Sequence, residues 1–358
     1  MIAQALDYWN QYAAVTALCV FLFCYKWVAP RFGNIAALLL GTSAGSSIWF
    51  WLFVQNRYVT IEPYKQMALR YFAADSIAKI MLIAVPLMVL SENRLTFLLF
   101  GELAASFFVV GSSLFSLYEA ARYGCNGLTC GGFIGNPSIS MGLMVCMLPV
   151  FIRSWKRQWP VLALAAAAVF VSGSSIALGL LAAYVGLSLF PWRFDFPKMS
   201  LAAAASLAVM FVGKLALGSE FANDSDRFKI WRFMMERWSA PWNLLFGTGL
   251  GTYHVFSINL QKIPKFEVVV PGGWWNTLHN DFLQQLFECG IVGGLLLLAT
   301  YGSALRKVIK ERDWYIALSV ALFGIYMSLD PALHNPLPVL FGAWLFIYAL
   351  RKPTKEYA

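Results

Sequence analysis

Charge is what this sequence has least of. Asp, Glu, Lys and Arg make up 13% of its 358 residues, about half the share found in water-soluble domains. A disordered chain needs the opposite balance, low hydrophobicity with high charge, and is excluded. A nucleic-acid-binding module is excluded on the same composition. The net charge of +9 is read instead as the Lys and Arg excess of cytoplasmic membrane loops. Histidine is rarer still, with three residues. No cluster of carboxylates and imidazoles has metal-ligand spacing, so neither a metal site nor another cofactor is expected. Six cysteines do not suit a disulfide-stapled mini-domain in a chain of this length. Nucleotide-binding loops, repeats and low-complexity tracts are also missing.

Apolar side chains take up the difference. They account for 59% of the chain, and mean hydropathy is +0.64. A bilayer-crossing helix needs roughly 20 mostly apolar residues. Stretches approaching that length lie near 12–28, 34–54, 74–91, 95–117, 137–153, 159–172, 174–190, 200–217, 281–304, 313–329 and 336–350. The predicted class is therefore all-α. The expected architecture is a polytopic integral membrane protein of about 11 transmembrane helices in one domain, 1–358, with one long outward loop, 218–280.

Loop charge sets the expected orientation. One set of connections carries fifteen Lys and Arg, including Lys26, Arg94, Arg153, Arg193, Arg306 and Arg351. The short loops of the opposite set carry four: Arg57, Lys65, Arg70 and Arg122. The first set is assigned to the cytoplasm, and 218–280 and the N-terminus to the outside. The N-terminal stretch lacks the basic start of a cleaved signal peptide. Four cysteines (Cys19, Cys24, Cys146 and Cys289) read as small apolar residues of spans. Cys125 and Cys130 flank Asn126 and Gly127 in an outward loop. There they either close a small disulfide or remain two thiols.

Chemistry-bearing residues gather in and beside the long loop. After Asp224 and Ser225, which can cap a helix start, Phe228, Trp231, Met235 and Trp238 recur at helical spacing. Arg227, Lys229, Arg232 and Glu236 take the other faces. Such a helix either lies on the bilayer surface or caps the bundle, its tryptophans anchored at the interface. Gly247-Thr248-Gly249-Leu250-Gly251 follows no strand and opens no βαβ unit, so the glycines are read as turn formers with φ > 0. Next, His279 and Asn280 precede Asp281, Gln284, Gln285 and Glu288. That spacing makes one polar stripe on a helix entering the membrane, which should face the bundle interior or a wet cavity. Lys214 has no local partner, and is placed to neutralise Glu288 or to meet an anionic headgroup.

Taken in order, these elements resemble the bacterial O-antigen ligase and O-antigen polymerase superfamily. Gly135-Asn136-Pro137-Ser138 is similar to its Gly-Asn-Pro element, and Asp224-Ser225-Asp226-Arg227 to its Ser-Gly-Arg stretch. Phe246-Gly247-Thr248-Gly249-Leu250-Gly251-Thr252-Tyr253 is similar to its Phe-Gly-x-Gly-x-Gly-x-Phe. His279-Asn280-Asp281-Phe282-Leu283-Gln284, with Gly290-Ile291-Val292-Gly293, is similar to its His-Asn-x-aromatic-Leu-Gln helix. The likeness covers roughly residues 130–300. One departure stands out: the turn where family ligases often carry Ser-Arg-Gly reads Gly173-Ser174-Ser175-Ile176. A second cation would then come from Lys214, Arg232 or Arg122.

The resemblance implies a metal-independent glycosyltransferase at the periplasmic face of the bacterial inner membrane. The donor would be an oligosaccharide on a polyprenyl pyrophosphate. The acceptor would be a sugar hydroxyl on a glycan or on a lipid A-core. A pyrophosphate leaving group gains from guanidinium donors, which suits Arg227 first and Arg232 second. The acceptor hydroxyl needs a base, which suits His279, with Asn280 or Asp281 fixing its tautomer. Glu288 and Asn136 complete the expected substrate-binding set, although the Asn136 turn also reads simply as a helix start. Ligase, polymerase and protein O-oligosaccharyltransferase are not separated at this level. The rival reading is a transporter or lipid flippase of the same pathway, with Lys79, Lys214, Glu102 and Glu288 as a charge pathway.

Overall fold

A computed structural model describes residues 28–34, 37–39, 93–124, 130–154, 159–189 and 278–351, together with Lys26, Ser91, Ile230, Trp231, Leu244, Leu245, Gly247, Thr248 and Tyr253. Among the described residues every regular element is helical. The helices are α1 (Ala29–Phe32), α2 (Arg94–Tyr123), α3 (Pro137–Ser154), α4 (Trp159–Ser172), α5 (Ser175–Leu189), α6 (Asp281–Lys310), α7 (Trp314–Leu329) and α8 (Pro336–Leu350). Short 3-10 turns at Gly132–Ile134 and Ala332–His334 lead into α3 and α8.

Seven of the expected spans correspond to α2 through α8. Those at 12–28, 34–54, 74–91 and 200–217 lie outside the described residues apart from isolated positions, and α1 falls between the first two. Two helices, α2 and α6, are long and apolar enough to cross a membrane, at 30 residues each. Helices α4, α5, α7 and α8 are apolar but run 14 to 16 residues, about 21–24 Å at 1.5 Å per residue. The break expected near residue 173 is present and fully capped. Gly173 adopts φ 66°, Ser172 Oγ accepts from the Ser174 N–H at 3.3 Å, and Ser174 Oγ accepts from the Ala177 N–H at 3.2 Å.

The chain divides into two compact units, one of Met1–Pro86, Asn223–Ser303 and Leu350–Ala358, the other of Leu87–Ala222 and Ala304–Ala349. The second unit is built by rings packed onto glycines. A Cβ at Gly101 would lie 2.0 Å from the indole of Trp344, one at Gly142 would lie 2.8 Å from Tyr326, and one at Gly111 would lie 2.4 Å from Phe133. Between apolar helices, small residues let backbones and rings approach where no water-driven force assists. The polar tips of the rings then meet backbone: Trp344 Nε1–H donates to the Phe97 carbonyl at 2.9 Å, and Tyr326 O–H to that of Ile139 at 3.2 Å.

Polar contacts mark the two ends of this unit. At one end Arg153 donates to Asp313 at 2.7 Å and lies 3.6 Å from Glu102. Tyr348 O–H donates to the same Asp313 carboxylate at 3.2 Å. At the other end Ser116 Oγ donates to the Cys130 carbonyl at 2.9 Å, and the Gly132 N–H donates to Glu119 at 3.3 Å. Arg122 donates to Tyr118 O–H and sits over the rings of Tyr118 and Tyr123 at 5.8 and 5.2 Å. Cys130 is disulfide-bonded, whereas Cys146 and Cys289 are buried free thiols. The expected partner, Cys125, lies outside the described residues.

Candidate functional site

The first unit carries the polar stripe, and its geometry starts from a broken helix. Gly290, inside α6, has φ 70° and ψ −175°, a conformation that only glycine takes without strain. Residues 281–289 therefore end at Gly290, and the carbonyls of that last turn lose their helical donors. The loop supplies one in their place. The Thr248 N–H donates to the Phe287 carbonyl at 3.1 Å, and Thr248 Oγ1 reaches the same oxygen at 3.4 Å. Gly247 makes that approach possible. Its φ is 76°, and a Cβ there would lie 2.2 Å from the Glu288 carbonyl oxygen. Gly247 is thus a turn former, as its sequence context predicts, and its partner is the helix break; Gly249 and Gly251 lie outside the described residues.

The stripe faces inward. Asp281, Gln284 and Glu288 share one helix face and are buried, whereas Gln285, the fourth residue of the expected stripe, is half-buried. Buried polar groups must be hydrogen-bonded, and Gln284 and Glu288 are chained together. Gln284 Nε2–H donates to Glu288 Oε1 at 3.1 Å, which also accepts from the Tyr253 N–H at 3.2 Å. Gln284 Oε1 accepts from the Leu278 N–H at 3.1 Å. On the other side of the same residue, the Leu278 carbonyl accepts from Trp231 Nε1–H at 2.7 Å. Asn280 caps the helix: its Oδ1 accepts from the Leu283 N–H at 3.0 Å, and its carbonyl from the Gln284 N–H at 2.9 Å.

His279 lies between the held Leu278 and the capping Asn280. It is half-buried and has φ 51°, a left-handed conformation that costs a non-glycine residue about 1–2 kcal/mol. Such a conformation persists only where its surroundings over-determine it. The imidazole is the side chain suited to proton transfer near neutral pH, and here its backbone is anchored on both sides. Behind it, the Tyr253 ring meets Phe287 edge-on at 6.0 Å between centroids. The Tyr253 hydroxyl is fully buried with no hydrogen-bond partner. Burial, together with the nearby Glu288 carboxylate, pushes that hydroxyl well above the usual tyrosine pKa.

The structure thus brings His279, Asn280, Asp281 and Glu288 into one stretch of the first unit. Asn136 is in the second unit and acts as a helix cap, its Oδ1 accepting from the N–H groups of Ser138 and Ile139 at 3.0 and 3.3 Å. Arg227, Arg232 and Lys214 lie outside the described residues. Among the described residues no group of three or more His, Cys, Asp or Glu is placed to hold a metal ion. Three contributors were not legible from the sequence. Trp231 reads as one residue of an aromatic face but points its N–H at the peptide before His279. Gln284 reads as generic stripe polarity but bridges Leu278 to Glu288. Thr248, read as a turn residue, caps the broken helix. Compared with known protein-family models and with curated proteins, the chain matches none.

Proposed function

We propose that this chain is a polytopic membrane glycosyltransferase of the O-antigen ligase and polymerase type, working on the periplasmic face of the inner membrane. The donor is a polyprenyl-pyrophosphate-linked oligosaccharide, and the acceptor is a sugar hydroxyl of a growing glycan or of a lipid A-core. The acceptor oxygen attacks the anomeric carbon, and the bond from that carbon to the pyrophosphate oxygen breaks. The acceptor proton passes to His279, and polyprenyl pyrophosphate leaves with the bonding electrons. Arg227, followed by Arg232, offsets the charge that develops on the leaving group. Lys214 is the reserve cation. Asn280 and Asp281 orient the imidazole, and Glu288 supports it from the stripe. About eleven helices carry this site, with 218–280 as the long periplasmic loop.

One observation carries the reading. His279 occupies a left-handed turn fixed at both neighbouring residues, at the head of a broken apolar helix with a buried polar stripe. The ordered run of Gly-Asn-Pro, Gly-x-Gly-x-Gly and His-Asn elements adds to it. The transporter reading draws less support, since Glu102 is engaged by Arg153 and Glu288 by Gln284 and Tyr253. Both carboxylates are built into fixed contacts.

The test is surface-glycan gel electrophoresis in a deletion strain carrying wild-type, His279→Ala or Arg227→Ala protein. Both variants should accumulate in the membrane and yield no polymerised or ligated glycan. Near-normal product from both removes the proposal. Single repeats on the lipid core identify a polymerase. A bare core with accumulated polyprenyl-linked chains identifies a ligase.

A further inference from the structure

We infer that Trp231, Gln284 and Glu288 are positioning residues that hold the His279 turn, so that three separated segments jointly set the direction of one imidazole. The inference rests on the proposed role of His279, but its test does not. The left-handed His279 turn persists only if its neighbours are held, and Leu278 is held at both polar groups. Its carbonyl is taken by the Trp231 indole N–H at 2.7 Å and its N–H by Gln284 Oε1 at 3.1 Å. The Trp231 bond holds the peptide that joins Leu278 to His279 by its oxygen, and the Gln284 bond holds the preceding peptide by its N–H, so Leu278 is fixed on both sides. Gln284 is itself fixed, because its other terminal atom donates to Glu288 Oε1 at 3.1 Å. Glu288 is tied in turn to the Tyr253 N–H at 3.2 Å.

The chain of bonds therefore runs from the glycine-rich segment through two turns of α6 to the histidine, and a second arm arrives from residue 231. Leu278 is buried, so water is a poor substitute for either bond. Side chains that merely supported the fold would have no need to bracket this one residue. Glu288 in the stripe then acts at a distance, by fixing the glutamine that fixes the turn.

The experiment uses a full-length chain in detergent with His254→Gln and His334→Gln. Of three histidines this leaves His279 as the one imidazole. With carbon-13-labelled histidine, its Cε1–Hε1 cross-peak reports ring environment and mobility. The parent should give one peak displaced from the free-histidine position. Trp231→Phe, which keeps a ring but removes the N–H, and Gln284→Leu should move that peak towards the free position or split it. Gly302→Ala, remote from these bonds, should leave it in place.

In glycan transfer, the same two variants should lower kcat by about 10–100-fold, as expected for a misplaced reacting group, with a smaller change in KM. A peak unchanged in both variants, or a parent peak already at the free-histidine position, overturns the inference. The parent spectrum decides the matter even where a variant fails to accumulate. A failed spectrum leaves the glycosyl-transfer reading standing, whereas an active His279→Ala chain removes that reading and leaves the spectrum intact.

Discussion

Replacing Gly247 by alanine is the sharpest perturbation of the architecture around the helix break. The new methyl meets backbone: the Glu288 carbonyl oxygen at 2.2 Å, its carbon at 2.3 Å and the Cys289 nitrogen at 2.4 Å. None of these atoms can rotate aside. Overpacking of this kind costs roughly 1–3 kcal/mol, and an L-residue at φ 76° adds about 1–2 kcal/mol. If the turn retreats, the buried Phe287 carbonyl loses the Thr248 N–H, a further loss of about 1–3 kcal/mol. The turn yields to relieve the clash, so the terms overlap and the expected total is about 3–5 kcal/mol. That is a large share of the 5–15 kcal/mol that typically separates folded from unfolded protein. Gly302→Ala is the matched control: the same substitution within α6, with nothing within 4 Å of the new methyl. It should be neutral or stabilise by about 0.5–1 kcal/mol, because alanine is the better helix former. Thermal unfolding in detergent, followed by tryptophan fluorescence, measures both. A Gly247→Ala melting temperature equal to or above the parent's would refute the reasoning.

Tyr253→Phe removes a buried hydroxyl that has no partner, so it should leave the melting temperature unchanged or raise it. Since the folded hydroxyl titrates above its ordinary value of about 10, the unfolded chain sheds its proton first as pH rises. Stability should therefore fall as pH rises beyond 10, and less steeply in Tyr253→Phe. Parallel alkaline profiles would contradict this. Arg153→Met leaves Glu102 and Asp313 without the cation between them and should cost about 1–2 kcal/mol, reduced from the fully buried case because the group is 27% exposed. Adding Glu102→Gln should restore part of that loss, and strict additivity of the two substitutions would show that the residues do not interact.

Hydrophobic length placed helices at seven of the expected sites, because apolar runs bounded by Gly, Pro and charged residues leave few alternatives. The two-way division at Gly173 was legible for the same reason: a Ser-Gly-Ser-Ser run supplies both the left-handed turn and its caps. The kink in α6 was not. Gly290 sits where the polar stripe gives way to an apolar run, and helical periodicity does not distinguish a tolerated glycine from a broken helix. At the site, the stripe of Asp281, Gln284 and Glu288 could be read from spacing, since burial follows from which face a residue occupies. Its partners could not. Trp231 and Tyr253 lie 47 and 35 residues from the groups they meet, and no local rule links an indole N–H to one chosen carbonyl. Asn136 shows the reverse case, a motif residue whose described contacts are those of an ordinary helix cap.

Transfer by purified protein in proteoliposomes tests the central claim most directly. Supplied with a polyprenyl-pyrophosphate oligosaccharide, a glycan acceptor and a metal chelator, the wild-type chain should release polyprenyl pyrophosphate in step with lengthened glycan. His279→Ala should release none. Release that continues undiminished in His279→Ala, or movement of intact donor across the bilayer without transfer, would contradict the account.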